Sequence, residues 1–181
     1  MTKSSDEQRL PIVTLRAIEP EDLDILYRIE NDREVWNVSA TNVPYSKYML
    51  HDYIANATGD IYTDKQVRMM IENQQQEVVG ILDLVNFDPT HRRAEVGIII
   101  QQPFRCQGYA TAALDKVIDY ARDTLHLHQL YVYIDSTQKA SLATFQHVGF
   151  KKSAVLDDWL FDGENYRETV ILQYLCKKAR N

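Results

Sequence analysis

Cysteine is scarce: Cys106 and Cys176 are the two in 181 residues. They form no CxxC pair and no ligand cluster with histidine, so the spacing calls for neither a structural zinc site nor a disulfide, and no metal is expected. Glycine (6) and proline (5) are also sparse, and no Pro/Gly/Ser-rich linker, internal repeat or low-complexity tract divides the chain. No apolar run approaches the roughly 20 residues that span a bilayer. The polar start, residues 1–9, lacks the apolar stretch of a secretory signal. These absences point to a cytoplasmic protein with no membrane partner. Basic residues are the minority: 20 Lys and Arg against 26 Asp and Glu leave a formal charge of −6. Without clustered basic residues to neutralise phosphates, nucleic acid is not an expected partner. The same acidic balance suits a cationic small molecule, attracted over a distance.

What is present is enough for a sizeable core. Hydrophobic residues make up 45% and charged residues 25% of the chain, ordinary values for a globular protein. The length fits one domain, residues 1–181, with a core from about 12 to 175 and frayed ends at 1–9 and 177–181.

Periodicity divides the core into strands and helices. Residues 12–17 read as a strand. Glu19-Pro20-Glu21-Asp22 opens a helix, with proline and acids in the first turn as the dipole favours. A second helix follows Pro44 with Ser46 as its cap, and Thr58-Gly59-Asp60 ends it. Residues 66–72 and 78–87 form a hairpin across the polar 73–77. After a turn at 88–93 comes a strand over 94–101, whose Ile98-Ile99-Ile100 run suggests burial on both faces. The longest helix spans about 107–125. A strand over 129–134, a helix over 138–148 ended by Gly149, and two strands over 151–160 and 165–175 complete the chain. The expected class is α/β (α+β): a mixed sheet with helices on its faces.

The most informative stretch is Arg105-Cys106-Gln107-Gly108-Tyr109-Ala110. It lies where a strand ends and the longest helix begins. Backbone N–H groups in that first turn lack intrahelical partners, and the dipole adds positive potential, so the position suits an anion. Gly108 would let the backbone approach a ligand closely, and Arg105 adds a charge. The stretch resembles Arg/Gln-x-x-Gly-x-Gly/Ala, the acetyl-CoA pyrophosphate motif of the GNAT acetyltransferase superfamily. The resemblance covers roughly residues 12–175. It implies the GNAT fold: a mostly antiparallel sheet of about seven strands with splayed central strands, and about four helices. It also implies that Ile98, Ile99 and Ile100 pair with the pantetheine arm of acetyl-CoA. Arg105, Cys106, Gln107, Gly108, Tyr109, Ala110 and Thr111 would hold the pyrophosphate. The helix from Gln138, with Ser141 and Phe145, would close the other side.

Further stretches resemble the bacterial spermidine/spermine N-acetyltransferases: Asp88-Pro89-Thr90-His91-Arg92-Arg93-Ala94-Glu95, His128-Gln129-Leu130-Tyr131, Val43-Pro44-Tyr45 and Phe161-Asp162-Gly163-Glu164-Asn165-Tyr166. The ribosomal-protein N-terminal acetyltransferases share this layout. The implied function is direct acetyl transfer to a primary amine, a polyamine or other small amine, with self-association. A protein N-terminus as acceptor and a weakly catalytic CoA-binding module are the alternatives. One departure stands out. Where these enzymes carry a tyrosine that protonates the departing thiolate, this chain has Phe145, which has no hydroxyl. Thr144, Tyr109 and Cys106 are other donors close in sequence, and water is another.

The attacking amine must lose a proton, and Glu95 is the candidate base, with an ion pair to Arg92 or Arg93 as the competing reading. His91 reads as a turn element. His126 and His128 alternate across Leu127 and read as structural. Asp22, Asp24, Glu30, Asp32 and Glu34 form an acidic segment that either holds a cation or, as preferred here, is a solvated helix face. Trp36, Tyr45, Tyr48 and Tyr53 line an acceptor pocket or belong to the core of the cap. Trp159 reads as core or interface, and Cys106 as a small filler rather than an acyl-carrying nucleophile.

Overall fold

The computed structural model describes residues 10–32 and 43–176. The expected frayed ends, and the acceptor candidates Glu34 and Trp36, lie outside the described residues.

Seven strands form one sheet in the order β1-β2-β3-β4-β5-β7-β6. They are β1 (Val13–Ala17), β2 (Val67–Asn73), β3 (Val78–Asp88), β4 (Arg93–Ile100), β5 (Gln129–Asp135), β6 (Lys151–Phe161) and β7 (Tyr166–Leu175). Every neighbouring pair is antiparallel except β4–β5. The helices are α1 (Leu23–Glu30), α2 (Lys47–Asn56), α3 (Ile61–Asp64), α4 (Tyr109–Asp123) and α5 (Lys139–His147).

The local chemistry behind these elements is specific. Ser46 caps α2, its Oγ accepting from the Met49 N–H at 3.1 Å. In the β2–β3 turn, Asn73 Oδ1 accepts from the N–H groups of Gln75 (3.0 Å) and Glu77 (2.9 Å), the side chain standing in for a backbone turn. The sequence missed α3. Asp60 does not end α2 but starts a new turn, its Oδ1 accepting from the Tyr62 N–H at 3.0 Å. His126 is not extended, since its φ is 52°. It lies in the turn before β5, so alternation across Leu127 does not describe it.

Alternation along the central strands divides the interior. On one face, Leu82, Leu84, Ala94, Val96, Leu130 and Val132 pack against Ala113, Leu114, Val117 and Ala121 of α4. On the other, Ile29, Met70 and Ile81 form a smaller cluster, with Ile99 beside it. Ile98, Ile99 and Ile100 are half-buried, not buried on both faces as their run suggested. The reason is the divergence of β4 from β5, which positions the site.

Candidate active site

β4 and β5 pair only at Arg93–Gln129, Ala94–Leu130 and Glu95–Tyr131. Both strands continue beyond that rung, β4 to Ile100 and β5 to Asp135. From Glu95 onward they form a fork, and the backbone edge of β4 that faces β5 has no strand partner. Buried backbone groups require partners, so an extended polar molecule lying in the fork would complete the ladder. A cleft of about 700 Å³ lies along the open end of β4, lined by the end of that strand, the following loop, the first turn of α4, Thr137 and Gln138, and α5 as far as Phe145.

Of the residues expected to hold acetyl-CoA, Ile98, Ile99, Ile100, Arg105, Cys106, Gly108, Tyr109, Ala110, Thr111, Gln138, Ser141 and Phe145 all line the cleft. Gln107 does not line it. Its amide turns back to the Pro103 carbonyl at 2.8 Å and braces the loop. Gly108 is the N-cap of α4 with φ 85°. A Cβ there would stand 3.0 Å from Pro11 and 3.3 Å from Leu10. Glycine is therefore required by backbone conformation and by the approach of Leu10 and Pro11, the segment that leads into β1. The first intrahelical bond runs from the Ala112 N–H to the Gly108 carbonyl at 3.0 Å. The N–H groups of Tyr109, Ala110 and Thr111 thus have no acceptor within the helix, and all three residues border the cleft. Arg105 Nε donates to the Ile100 carbonyl at 3.0 Å, which ties its charge to the open end of the fork. Cys106 is exposed with φ 59°, not a packed filler.

Phe104, Thr137, Lys139, Ala140 and Thr144 also line the cleft. Of these, sequence reasoning had singled out Thr144 alone, as a proton donor. Its hydroxyl is already committed to the Ala140 carbonyl at 2.9 Å. Lys139 carried a legible signal: a cation in the first turn of a helix opposes the dipole, a misfit that an anionic ligand would relieve. Asp135 sets this turn, its Oδ1 accepting from the Thr137 N–H (2.8 Å) and hydroxyl (2.7 Å). Burial pushes the Asp135 carboxyl up, but those bonds and Arg167 hold it below the usual range. Phe145 is 2% exposed and meets Phe150 edge-on at 5.0 Å, so the part of this wall that Phe145 forms is apolar.

Glu95 sits at the last paired rung, its Oε2 accepting from Asn86 Nδ2 at 2.8 Å. The competing ion pairs go elsewhere. Arg93 pairs with Asp88 at 3.3 Å, and Arg92 Nε grips the His126 carbonyl at 2.8 Å. Parallel register places Tyr131 beside Glu95. Burial, and then the Glu95 charge, push the Tyr131 phenol up. The His91 N–H closes the turn onto Asp88 Oδ1 at 2.9 Å.

The acidic segment is not a solvated helix face throughout. Asp22 is buried and takes two bonds from Arg16, at 2.7 and 2.9 Å. Burial pushes its carboxyl up, but Arg16 and the Glu19 N–H hold it below the usual range. Glu30 is buried against Arg68, whose Nε and Nη2 also reach both oxygens of Asp83 at 2.7 Å. Asp24 fits the solvated reading, exposed and paired with Lys47 at 2.6 Å, and Asp32 is partly exposed. Of the cap aromatics, Tyr53 lies over the Arg68 guanidinium at 5.7 Å, Tyr48 is 80% exposed, and Tyr45 anchors its backbone to Asn31 at 2.9 Å. Trp159 is not core: it is 57% exposed. Among the described residues no cluster of three His, Cys, Asp or Glu side chains suits a metal ion.

A fork of two strands closed by a glycine-capped helix N-terminus is the arrangement that the resemblance to the GNAT acetyltransferases implied. The Acetyltransferase (GNAT) domain pattern matches residues 13–151, and the chain belongs to that family. It is an N-acetyltransferase, and acetyl-CoA is its cosubstrate. Among its relatives is the spermidine N(1)-acetyltransferase of Vibrio cholerae, 24% identical over 93% of this chain and 96% of the relative. That of Escherichia coli K12 is 27% identical over 91% and 89%. A putative ribosomal N-acetyltransferase of Bacillus subtilis is 26% identical over 92% of each. The crystal structure of the Vibrio cholerae spermidine enzyme with CoA and spermine shares the fold, with TM-score 0.80 and 24% identity over 90% of this chain and 95% of that one.

Proposed function

We propose that the protein, as a single domain, transfers the acetyl group of acetyl-CoA to a primary amine of a polyamine, in one step within a ternary complex. The observation that carries this reading is the coincidence of fork and carboxylate. β4 and β5 part at the rung that holds Glu95, so the base stands where a donor lying in the cleft would present its reactive end. The backbone edge of Ile98, Ile99 and Ile100 binds the pantetheine arm. The first turn of α4 and Arg105 take the pyrophosphate, and Ser141, Gln138 and Phe145 close the opposite wall. Bound there, acetyl-CoA supplies an activated acyl group on a thiol.

Glu95 accepts the proton that the ammonium must shed before its nitrogen has a lone pair. Phe145 has no hydroxyl and donates nothing. A thiol ionises near pH 8.5, so it can leave as thiolate and be protonated from solvent. A polyamine acceptor fits the net charge of −6 and the relatives that act on spermidine. The ribosomal-type relative makes a protein N-terminus the rival acceptor. Self-association is supported by the long exposed edge strand β6 and by a dodecameric spermidine N-acetyltransferase of Vibrio cholerae, 25% identical with TM-score 0.76. Cytoplasmic placement belongs to the same reading. Among the described residues no helix is long and apolar enough to cross a membrane.

The test is release of CoA thiol from acetyl-CoA with spermidine, spermine, putrescine, aminoglycosides and N-terminal peptides. Turnover of the polyamines alone is the expected result. Turnover of peptides alone would transfer the assignment to protein N-termini, and acetyl-CoA binding with no turnover would leave a CoA-binding module.

A further inference from the structure

β6 does not run evenly along β7. Leu156 pairs with Thr169 and Leu160 with Arg167, so Asp157, Asp158 and Trp159 together face the single Glu168. Asp158 adopts a φ of 50° within this bulge, a left-handed conformation that aspartate tolerates better than most residues with a Cβ. Bulges re-aim side chains and gather beside active sites. Here the consequence is visible: although β7 separates β6 from β5, the Trp159 indole lies parallel to the Tyr133 ring of β5, centroids 6.3 Å apart and planes 9° apart. Tyr133 meets Tyr131 edge-on at 5.8 Å, and Tyr131 stands across the rung from Glu95.

Three rings thus form a continuous row from the carboxylate at the fork to open surface. The outer two are wet, Tyr133 at 41% and Trp159 at 57% exposure. Burial of apolar area does not account for a stacked pair held in solvent by a bulge. Aromatic faces attract ammonium groups, tryptophan most strongly. Asp157, Asp158 and Glu168 are exposed at the outer end, so local charge also favours a cation.

We propose that Tyr131, Tyr133 and Trp159 form the specificity-determining subsite for the unreacting ammonium of a polyamine whose reacting amine stands at Glu95. The inference rests on the polyamine reading and names the residues that would enforce it. A monoamine reaches Glu95 but leaves the outer rings unused. A second ammonium several methylenes away lies over them, its connecting methylenes on apolar ring area.

Steady-state kinetics of wild type, Trp159→Ala and Trp159→Phe with spermidine and with n-hexylamine test it. Loss of one exposed cation–π contact corresponds to about two- to fivefold in affinity. Trp159→Ala should raise the KM for spermidine by about that factor, hold kcat within about twofold, and leave the KM for n-hexylamine unchanged; Trp159→Phe should recover most of the loss. Equal change for both amines, or none, overturns the subsite. So does a change in sedimentation that accompanies equal loss for both, which would assign Trp159 to a contact between copies. If wild type turns over no amine, the polyamine reading has failed on its own. Calorimetric titration of spermidine into the CoA-saturated protein then decides the subsite: weaker binding by Trp159→Ala upholds it, and equal binding overturns it.

Discussion

On the side of β4 that faces β5, the protein offers mostly backbone: an unpaired strand edge, the first turn of α4 and a loop braced by Gln107. On the face that carries Glu95, it offers side chains: a carboxylate, three aromatic rings, and Arg68 held between Glu30 and Asp83. The two sides meet at the Glu95–Tyr131 rung. Under the proposed function the difference follows from what each must recognise. A pyrophosphate and an amide-bearing arm are satisfied by N–H and C=O groups that any sequence supplies once the fold positions them. An amine must be deprotonated and selected among other amines, and only side chains of particular chemistry do that.

Removing the proposed base gives the largest expected difference between the two sides. Glu95→Gln should lower kcat/KM for the amine by about 10²–10⁴ while the acetyl-CoA KM stays within about twofold. Equal damage to acetyl-CoA binding, measured by calorimetry, would show that the two sides are not separate. Next comes Arg68→Met, which strips the partner from two nearly buried carboxylates. It should cost about 3–5 kcal/mol and lower the thermal midpoint by about 6 °C or more. The triple change with Glu30→Gln and Asp83→Asn should recover most of that loss.

On the donor side, Gly108→Val forces a β-branched residue to φ 85° with its Cβ against Pro11. It should raise the acetyl-CoA KM by about tenfold at a cost near 1–3 kcal/mol, with the amine KM little changed. Smallest is Phe145→Tyr. If the thiolate leaves unaided, kcat should change by less than about tenfold. A hundredfold gain over a parent near background would mark the native site as degenerate.

How much was legible differs between these regions. The strands and the four longer helices could be read because period, caps and turn residues act over a few positions. Ser46 and the 73–77 turn are examples. α3 was missed because four residues are too few to show a period. Twelve of the thirteen residues that the family resemblance implied border the cleft; the strand end, loop and helix start among them are contiguous, whereas Gln138, Ser141 and Phe145 could be placed only through that resemblance. Gln107 turns its amide to the Pro103 carbonyl instead, because a loop side chain has more than one direction open to it and sequence does not choose. Lys139 was overlooked although its place in a helix's first turn was a misfit visible without a structure.

The sequence by itself determined the order of elements, the glycine-capped helix start after β4, the absence of a hydroxyl at Phe145 and the net negative charge. These depend on residue identity and on neighbours within a turn or two. Tertiary structure alone decided that β4 and β5 part at Glu95, that Asn86 rather than an arginine holds Glu95, and that Arg68 joins α1 to the sheet through Glu30, 38 residues away. It also decided that a bulge lays Trp159 over Tyr133. The physical reason is that strand register and long-range pairing come from the packing of the whole sheet against its helices, and no local pattern records which distant side chains that packing brings together.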